Sequence, residues 1–379
     1  MRTAGSRPPT WLQTRVGRHL KLLLGSAILA VSLVSLAKSA QDGKISHEGF
    51  GSRTLGGQGR PTYYVTNLND SGPGSLRDAL AKGERYVSFN VAGEILLQSR
   101  LYVQGANITI DGFTSPSPAI TLRNYGLFIH GTKGSHDLIV RGIRIRDTLP
   151  GRDGIQIAHG AYNVVIDHVS IHGGGDGNLD ISNSRDITVS WSIFAKPAGT
   201  EKNMLIKYNP SRTTLHHNIF VNARQRNPQV RIDDAGTLAR ETTVDMRNNL
   251  VWGWEGGYGT LIWYGPRVNI LNNFYSSERG DPKQALVVSH GARAYVTGNW
   301  SNDGLADYIN SRGTEAKPFP APPVGTTDAC TAAHQVLSDA GVKPRDSVEQ
   351  QYLSAVSLAA CSESKKSAPP VGSTLSIGH

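Results

Sequence analysis

The sequence predicts an all-β chain wound as a parallel β-helix, and three observations carry that expectation. Short β-branched runs recur along the chain: 108-ITIDGFT, 139-IVRGIRI, 164-VVIDHVSI, 187-ITVSWSIF, 213-TTLHHNIF, 243-TVDMRNNLV, 268-VNILNNFY and 294-AYVTGNW, with starts 23 to 31 residues apart. Each run is too short for a helix, and the interval is too long for a tight hairpin. Repetition on this scale marks a solenoid or a propeller, and a β-helix coil needs only about half the length of a propeller blade. The third observation is an asparagine at a similar phase of four repeats, Asn218, Asn249, Asn273 and Asn299. Stacked coils let such side chains hydrogen-bond one above another at a turn.

Each segment follows in order. At the amino end Arg2, Arg7, Arg15, Arg18 and Lys21 precede the apolar run 22-LLLGSAILAVSLVSLA-37 and a cluster of small residues, the pattern of a secretory signal over 1–40. The whole chain carries +9, but those forty residues hold six basic and no acidic side chains, which leaves +3. So small a surplus argues against a global nucleic-acid-binding surface, and any attraction for a polyanion has to come from local clusters. With the signal removed the protein is expected outside the cell or in the periplasm, as a monomer free of the membrane. The solenoid is assigned to 41–315. Four prolines in 316-AKPFPAPPVGTT-327 mark a linker or a surface strap over 316–329. Residues 330–379 form a short carboxy-terminal extension, in which 329–341 and 346–360 have a helical pattern, with Gly341 ending the first helix and Asp346 capping the second. The tail 362–379 has the composition of a disordered segment. Cys330 and Cys361 are the only cysteines. In an exported chain an even pair suggests one disulfide.

The chemistry concentrates in 173-GGGDGNLDIS-182. Asp176 and Asp180 are an even number of residues apart, so an extended stretch places both carboxylates on one face. Asp153 lies one repeat earlier. Three carboxylates gathered on one patch are costly without a cation, and hard oxygen ligands suit Ca²⁺. Lys202 and Arg226 follow at successive repeats, so one strip along the solenoid runs from carboxylates to an ammonium and a guanidinium. Arg226 belongs to 224-RQRNPQVR-231, where three arginines crowd around Pro228 and strand propensity does not account for them.

These residues carry a family resemblance. The segments 49-GFGSRTLGG-57, 70-DSGPGSLRDAL-80, 164-VVIDHVSIHGGGDGNLDI-181, 187-ITVSWSIF-194 and 213-TTLHHNIFVNARQRNPQVR-231 resemble pectate lyases of polysaccharide lyase family 1. The resemblance covers roughly residues 47 to 300. It implies a right-handed parallel β-helix and calcium-dependent β-elimination in polygalacturonate, an acidic polysaccharide. It makes Asp153, Asp176 and Asp180 calcium ligands, Lys202 and Arg231 contacts for the substrate carboxylate or oxyanion, and Arg226 the base. A guanidinium is a poor base at neutral pH, so an alkaline optimum is expected. Val165 and Val169 stand where the family often has Trp and Cys, and 205-LIKYNP-210 replaces a more typical Leu-Ile-Gly-His-Ser-Asp run. A lyase for methyl-esterified pectin and a non-catalytic carbohydrate-binding β-helix are the alternative functions. The carboxylate triad argues against the first, because a neutral ester offers calcium no carboxylate to bridge.

Other features are assigned to structure. His168, His216 and His217 sit inside strand-like repeats. The glycines of 49–57 lack the strand-turn-helix context of a dinucleotide site. The aromatic segment Trp252, Trp254, Tyr258, Trp263 and Tyr264 is equally suited to packing and to stacking on sugar rings.

Overall fold

A computed structural model describes residues 47–198, 201–232, 239–301, 304–305, 314–359 and 361. The described residues all belong to one compact unit, and the signal expected over 1–40 and the tail 362–379 lie outside them. Among the described residues no helix is long and apolar enough to cross a membrane.

The expected right-handed parallel β-helix is present. Three sheets of ten, eight and ten strands run along it, and successive coils contribute one strand to each sheet. One coil passes through Tyr162–Asp167, Ser170–His172 and Leu179–Ser182 before the next begins at Arg185–Ser190. All strand pairs are parallel except Trp300–Ser301 with Gly304–Leu305. Alternation sets the inside. Ile155, Leu179, Met204 and Val230 are fully buried in the core, while Gln156, Asp180, Leu205 and Gln229 between them point outward from the eight-stranded sheet. Each buried aliphatic side chain stabilises the coil by about 1.5–3 kcal/mol before the entropy of ordering it is charged.

The bend from the first ten-stranded sheet to the second requires a left-handed residue in coil after coil. Gly142, His168, Trp191, His217, Asn248, Asn272 and Gly298 all take φ between +48° and +69° there. The residue just after that bend forms the expected ladder. The Nδ2 groups of Asn218, Asn249 and Asn273 each donate to the Oδ1 of the next asparagine at 2.9 Å, ending at Asn299. Each Oδ1 also accepts a backbone N–H from the preceding coil, as Asn249 does from Asn218 at 3.0 Å. Beside the ladder Trp191 stacks on His217 at 4.3 Å and on His168 at 6.0 Å. Burial drives His216 down to about 3 and His217 to about 4, so both stay neutral packing groups.

Segment 47–57 crosses the outer face of the first sheet, where Thr214, Thr188 and Thr109 accept the N–H groups of Phe50, Gly51 and Gly57. A Cβ on Gly57 would sit 2.1 Å from the Arg85 carbonyl oxygen, which explains this glycine by close approach of backbones. Helix α1 (Leu76–Ala79) is capped by Ser75 and buries Leu76 and Ala79 in the solenoid core. The proline-rich stretch lies across the same outer face, with the Phe319 N–H on Asn269 Oδ1 at 2.8 Å and the Thr327 N–H on Asn248 Oδ1 at 2.9 Å. Helices α2 (Ala329–Asp339) and α3 (Ser347–Leu353) then cover the second ten-stranded sheet. Cys330, Ala333, Val336, Tyr352 and Leu353 pack on Ile193, Ile219 and Leu250. Cys330 and Cys361 form the expected disulfide. Asp346 caps α3 through a capping box, but the helix ends at Leu353 instead of reaching 360, because Ser354 closes it and the chain turns at Val356.

Candidate active site

The pocket forms on the outer face of the eight-stranded sheet. Asp180 faces out because Leu179 and Ile181 on either side face in, and it lies between Gln156 and Leu205 of the neighbouring strands. Asp153 stands just before strand Ile155–Ala158. Lys202 forms an isolated bridge with Gln225, and Arg226 follows in a left-handed conformation at φ +63°. One pocket is lined by Asp153, Asp176, Asp180, Lys202, Lys207 and Arg226. Five of the six expected site residues therefore meet. Arg231 is farther along the same face and is not among that lining; its guanidinium lies over Trp263 at 5.0 Å and Tyr264 at 5.4 Å.

The carboxylates converge by a different route from the one the spacing suggested. Only Leu179–Ser182 is extended, whereas residues 173–178 turn, held by the Gly174 N–H on Asn178 Oδ1 at 3.0 Å. Asp176 is exposed on that turn. Pairing Ile155 with Leu179 sets Gly177, not Asp176, beside Asp153. A Cβ at 177 would come 3.3 Å from Asp153 Oδ1. Glycine there keeps the carboxylate open to the pocket.

A second asparagine ladder, not recognised from sequence, fixes the pocket's edge. Asn178 Nδ2 donates to Asn203 Oδ1 at 2.7 Å, and Asn203 Nδ2 to Asn227 Oδ1 at 3.0 Å. These residues directly follow Gly177, Lys202 and Arg226, so the ladder locks the backbone from which the two cations project. Recurrence of Asn at one repeat interval was the available signal, the same one that exposed the first ladder.

The electrostatics are strained. Burial, then the nearby Asp180 and Asp176, push the Asp153 carboxyl up to about 7. Burial also raises Asp180, while Lys207, with Nζ 3.2 Å from Asp180 Oδ2, pulls it back. Among the described residues, the buried atoms Asp180 Oδ1 and Arg226 Nε have no hydrogen-bond partner. Crowded oxygen donors with one orphaned oxygen fit a hard divalent cation. Among the described residues no three His, Cys, Asp or Glu side chains are grouped closely enough to hold a metal ion by themselves, so an ion at these aspartates would need further ligands from water or substrate. Tyr258 lies outside that lining, donating to Gln229 Oε1 at 2.7 Å and contacting Arg226. The aromatic segment thus divides: Trp252 and Trp254 are buried packing, whereas Tyr258, Trp263 and Tyr264 support the arginines. Lys207 is the pocket residue that sequence reasoning passed over; it belongs to the divergent 205–210 run.

No protein-family model matches the chain. A probable pectate lyase C of Emericella nidulans is 38% identical over 220 residues, covering 56% of this chain and 48% of that protein. The match thus spans about half that relative's length. A probable pectate lyase C of Aspergillus flavus is 32% identical over 336 residues, covering 82% of this chain and 75% of that protein. Among solved structures, a pectate lyase from Bacillus sp. N165 in complex with trigalacturonate superposes with a TM-score of 0.57 at 20% identity, covering 78% of this chain and 99% of that one. The fold is the β-helix of the polysaccharide lyases. The chain belongs to the pectate lyase family.

Proposed function

We propose that this protein is a secreted, calcium-dependent pectate lyase that cleaves polygalacturonate by β-elimination. The observation that carries the proposal is the meeting of three carboxylates and three cations in one pocket of a pectate-lyase-family β-helix. Asp153, Asp176 and Asp180 would hold calcium, which supplies positive charge against the substrate carboxylate and relieves the repulsion among the three aspartates. Lys202 and Arg231 orient the C6 carboxylate and stabilise the negative charge that develops on it. Arg226 takes the C5 proton. The C5–H electron pair becomes the C4–C5 double bond, the C4–O bond breaks, and the departing glycosidic oxygen is protonated by solvent. Trp263 and Tyr264 beneath Arg231 hold its guanidinium in place, and Tyr258 does the same for Arg226.

The test is incubation with polygalacturonate, with added Ca²⁺ or with chelator, while following the ultraviolet absorbance of unsaturated oligogalacturonides. Product is expected only with calcium. Chelator should leave the far-ultraviolet circular dichroism spectrum nearly intact, because the aspartates decorate a solenoid that supplies its own core. Absence of unsaturated product in both arms would refute the lyase assignment; collapse of the β signal with chelator would refute the separation of metal from fold.

A further inference from the structure

The outer face of the eight-stranded sheet continues beyond the carboxylates toward its amino-terminal strands, and its character changes there. In register with Asp180 stand Gln156, then Phe128 on strand Leu127–His130, then Tyr102 on strand Leu101–Val103. The Arg100 guanidinium lies over the Phe128 ring at 4.9 Å, and Lys133 Nζ lies over Tyr102 at 5.6 Å. Both cations are exposed. Several other surface arginines, such as Arg77 with Asp70 and Arg123 with Glu94 and Asp147, are ion-paired. Among the described residues Arg100 and Lys133 have no carboxylate partner and rest on aromatic faces instead, which holds each ammonium or guanidinium in place without neutralising it.

We infer that Arg100 and Lys133, seated on Phe128 and Tyr102, form a distal subsite for the carboxylates of an acidic polysaccharide chain. Three features join this platform to the pocket. His130 Nε2 and Gln156 Oε1 are 2.8 Å apart, and Gln156 Nε2 reaches Asp153 Oδ2 at 3.5 Å, so a polar path runs between them. The outward positions Ala158 and Ser182, between His130 and Lys207, carry short side chains. Tyr102 lies three strand spacings, about 14 Å, from Asp180. An extended uronate chain advances by roughly one strand spacing per sugar, so a chain of several units seated in the pocket brings later carboxylates over Lys133 and Arg100. A neutral or fully esterified chain gains nothing there, and the platform therefore favours long, unesterified stretches.

This inference rests on the lyase reading, and one experiment separates the two. The specificity ratio is kcat/KM for hexagalacturonate over that for trigalacturonate, measured for wild type, for Arg100→Gln with Lys133→Gln, and for Arg100→Lys with Lys133→Arg. Retardation of each protein in polygalacturonate gels gives a binding readout without turnover, and the thermal midpoint checks folding. The neutral double variant should lower the ratio about tenfold, as expected for losing charge-assisted contacts, and should migrate faster in the gel. The charge-conserving pair should keep most of both effects. An active wild type whose neutral variant retains the full ratio overturns the subsite and leaves the lyase assignment standing. A charge-conserving variant that falls as far as the neutral one also overturns it. A wild type that neither cleaves nor is retarded removes both.

Discussion

Two rows of polar side chains run along this solenoid and are satisfied to opposite degrees. On the turn side, Asn218, Asn249, Asn273 and Asn299 pass hydrogen bonds from coil to coil, and each is at most 1% exposed. On the eight-stranded face Asp153 and Asp180 are also buried and Arg226 is half-buried, yet among the described residues Asp180 Oδ1 and Arg226 Nε find no partner, and Asp153 is pushed up to about 7. A buried polar atom without a bond costs about 1–3 kcal/mol, so the first row contributes stability and the second holds it in deficit. That deficit suits a surface whose missing partners arrive with a cation and a polyanion. The contrast teaches where to look in a repeating fold: repetition of one residue type marks architecture, and a change of residue type along the repeat marks chemistry.

The largest expected effect breaks the functional row alone. Arg226→Ala should lower turnover on polygalacturonate by roughly 10²–10⁴-fold, the range for losing a positioned proton acceptor, with a modest change in affinity. Arg231→Ala should weaken binding as well, because the partner proposed for it is the ground-state carboxylate. Unsaturated product formed by Arg226→Ala at a rate comparable with wild type would remove Arg226 from the reaction.

Breaking the structural row should give the opposite signature. Asn249→Ala strands the Asn218 N–H and the Leu215 carbonyl oxygen, which Asn249 now satisfies at 3.0 Å and 2.9 Å. A loss of about 3 kcal/mol in unfolding free energy is expected from the denaturant midpoint, with kcat per folded molecule retained. Unchanged stability with lost activity would mean that the two rows are coupled, against the division drawn here.

The same contrast explains what was legible in the sequence. The first asparagine row and the fold follow from a side-chain period that stacking enforces, and five of the six expected site residues line one pocket. The path by which Asp176 and Asp180 converge was not legible, because 173–178 turns on a hydrogen bond between Gly174 and the Asn178 side chain, and strand alternation does not apply to a turn. The partner of Asp180 was hidden too. Lys207 lies one coil beyond it, one outward position past Leu205 on the next strand, so only the register Ser182↔Lys207 brings it within reach.

Lys207 gives the smallest effect and sharpens the comparison most, because it is the side chain that partly relieves the functional row. Its Nζ is bonded to Asp180 Oδ2 and also lies 4.9 Å from the Tyr208 ring, an alternative resting place once Asp180 is engaged elsewhere. A monovalent charge already on Asp180 repels an incoming divalent ion and must be displaced from one oxygen. Lys207→Ala should therefore bind Ca²⁺ about threefold to tenfold more tightly by calorimetry without substrate, a modest gain because water screens part of the repulsion. Lys207→Met, which keeps the aliphatic stem and removes the charge, should behave alike if the effect is electrostatic. Looser binding in both variants would invert the interpretation, since it would mean that Lys207 holds Asp180 in the orientation the ion needs. A tighter Ala variant with an unchanged Met variant would assign the effect to the stem's bulk, and the charge on Lys207 would then have no part in setting calcium affinity.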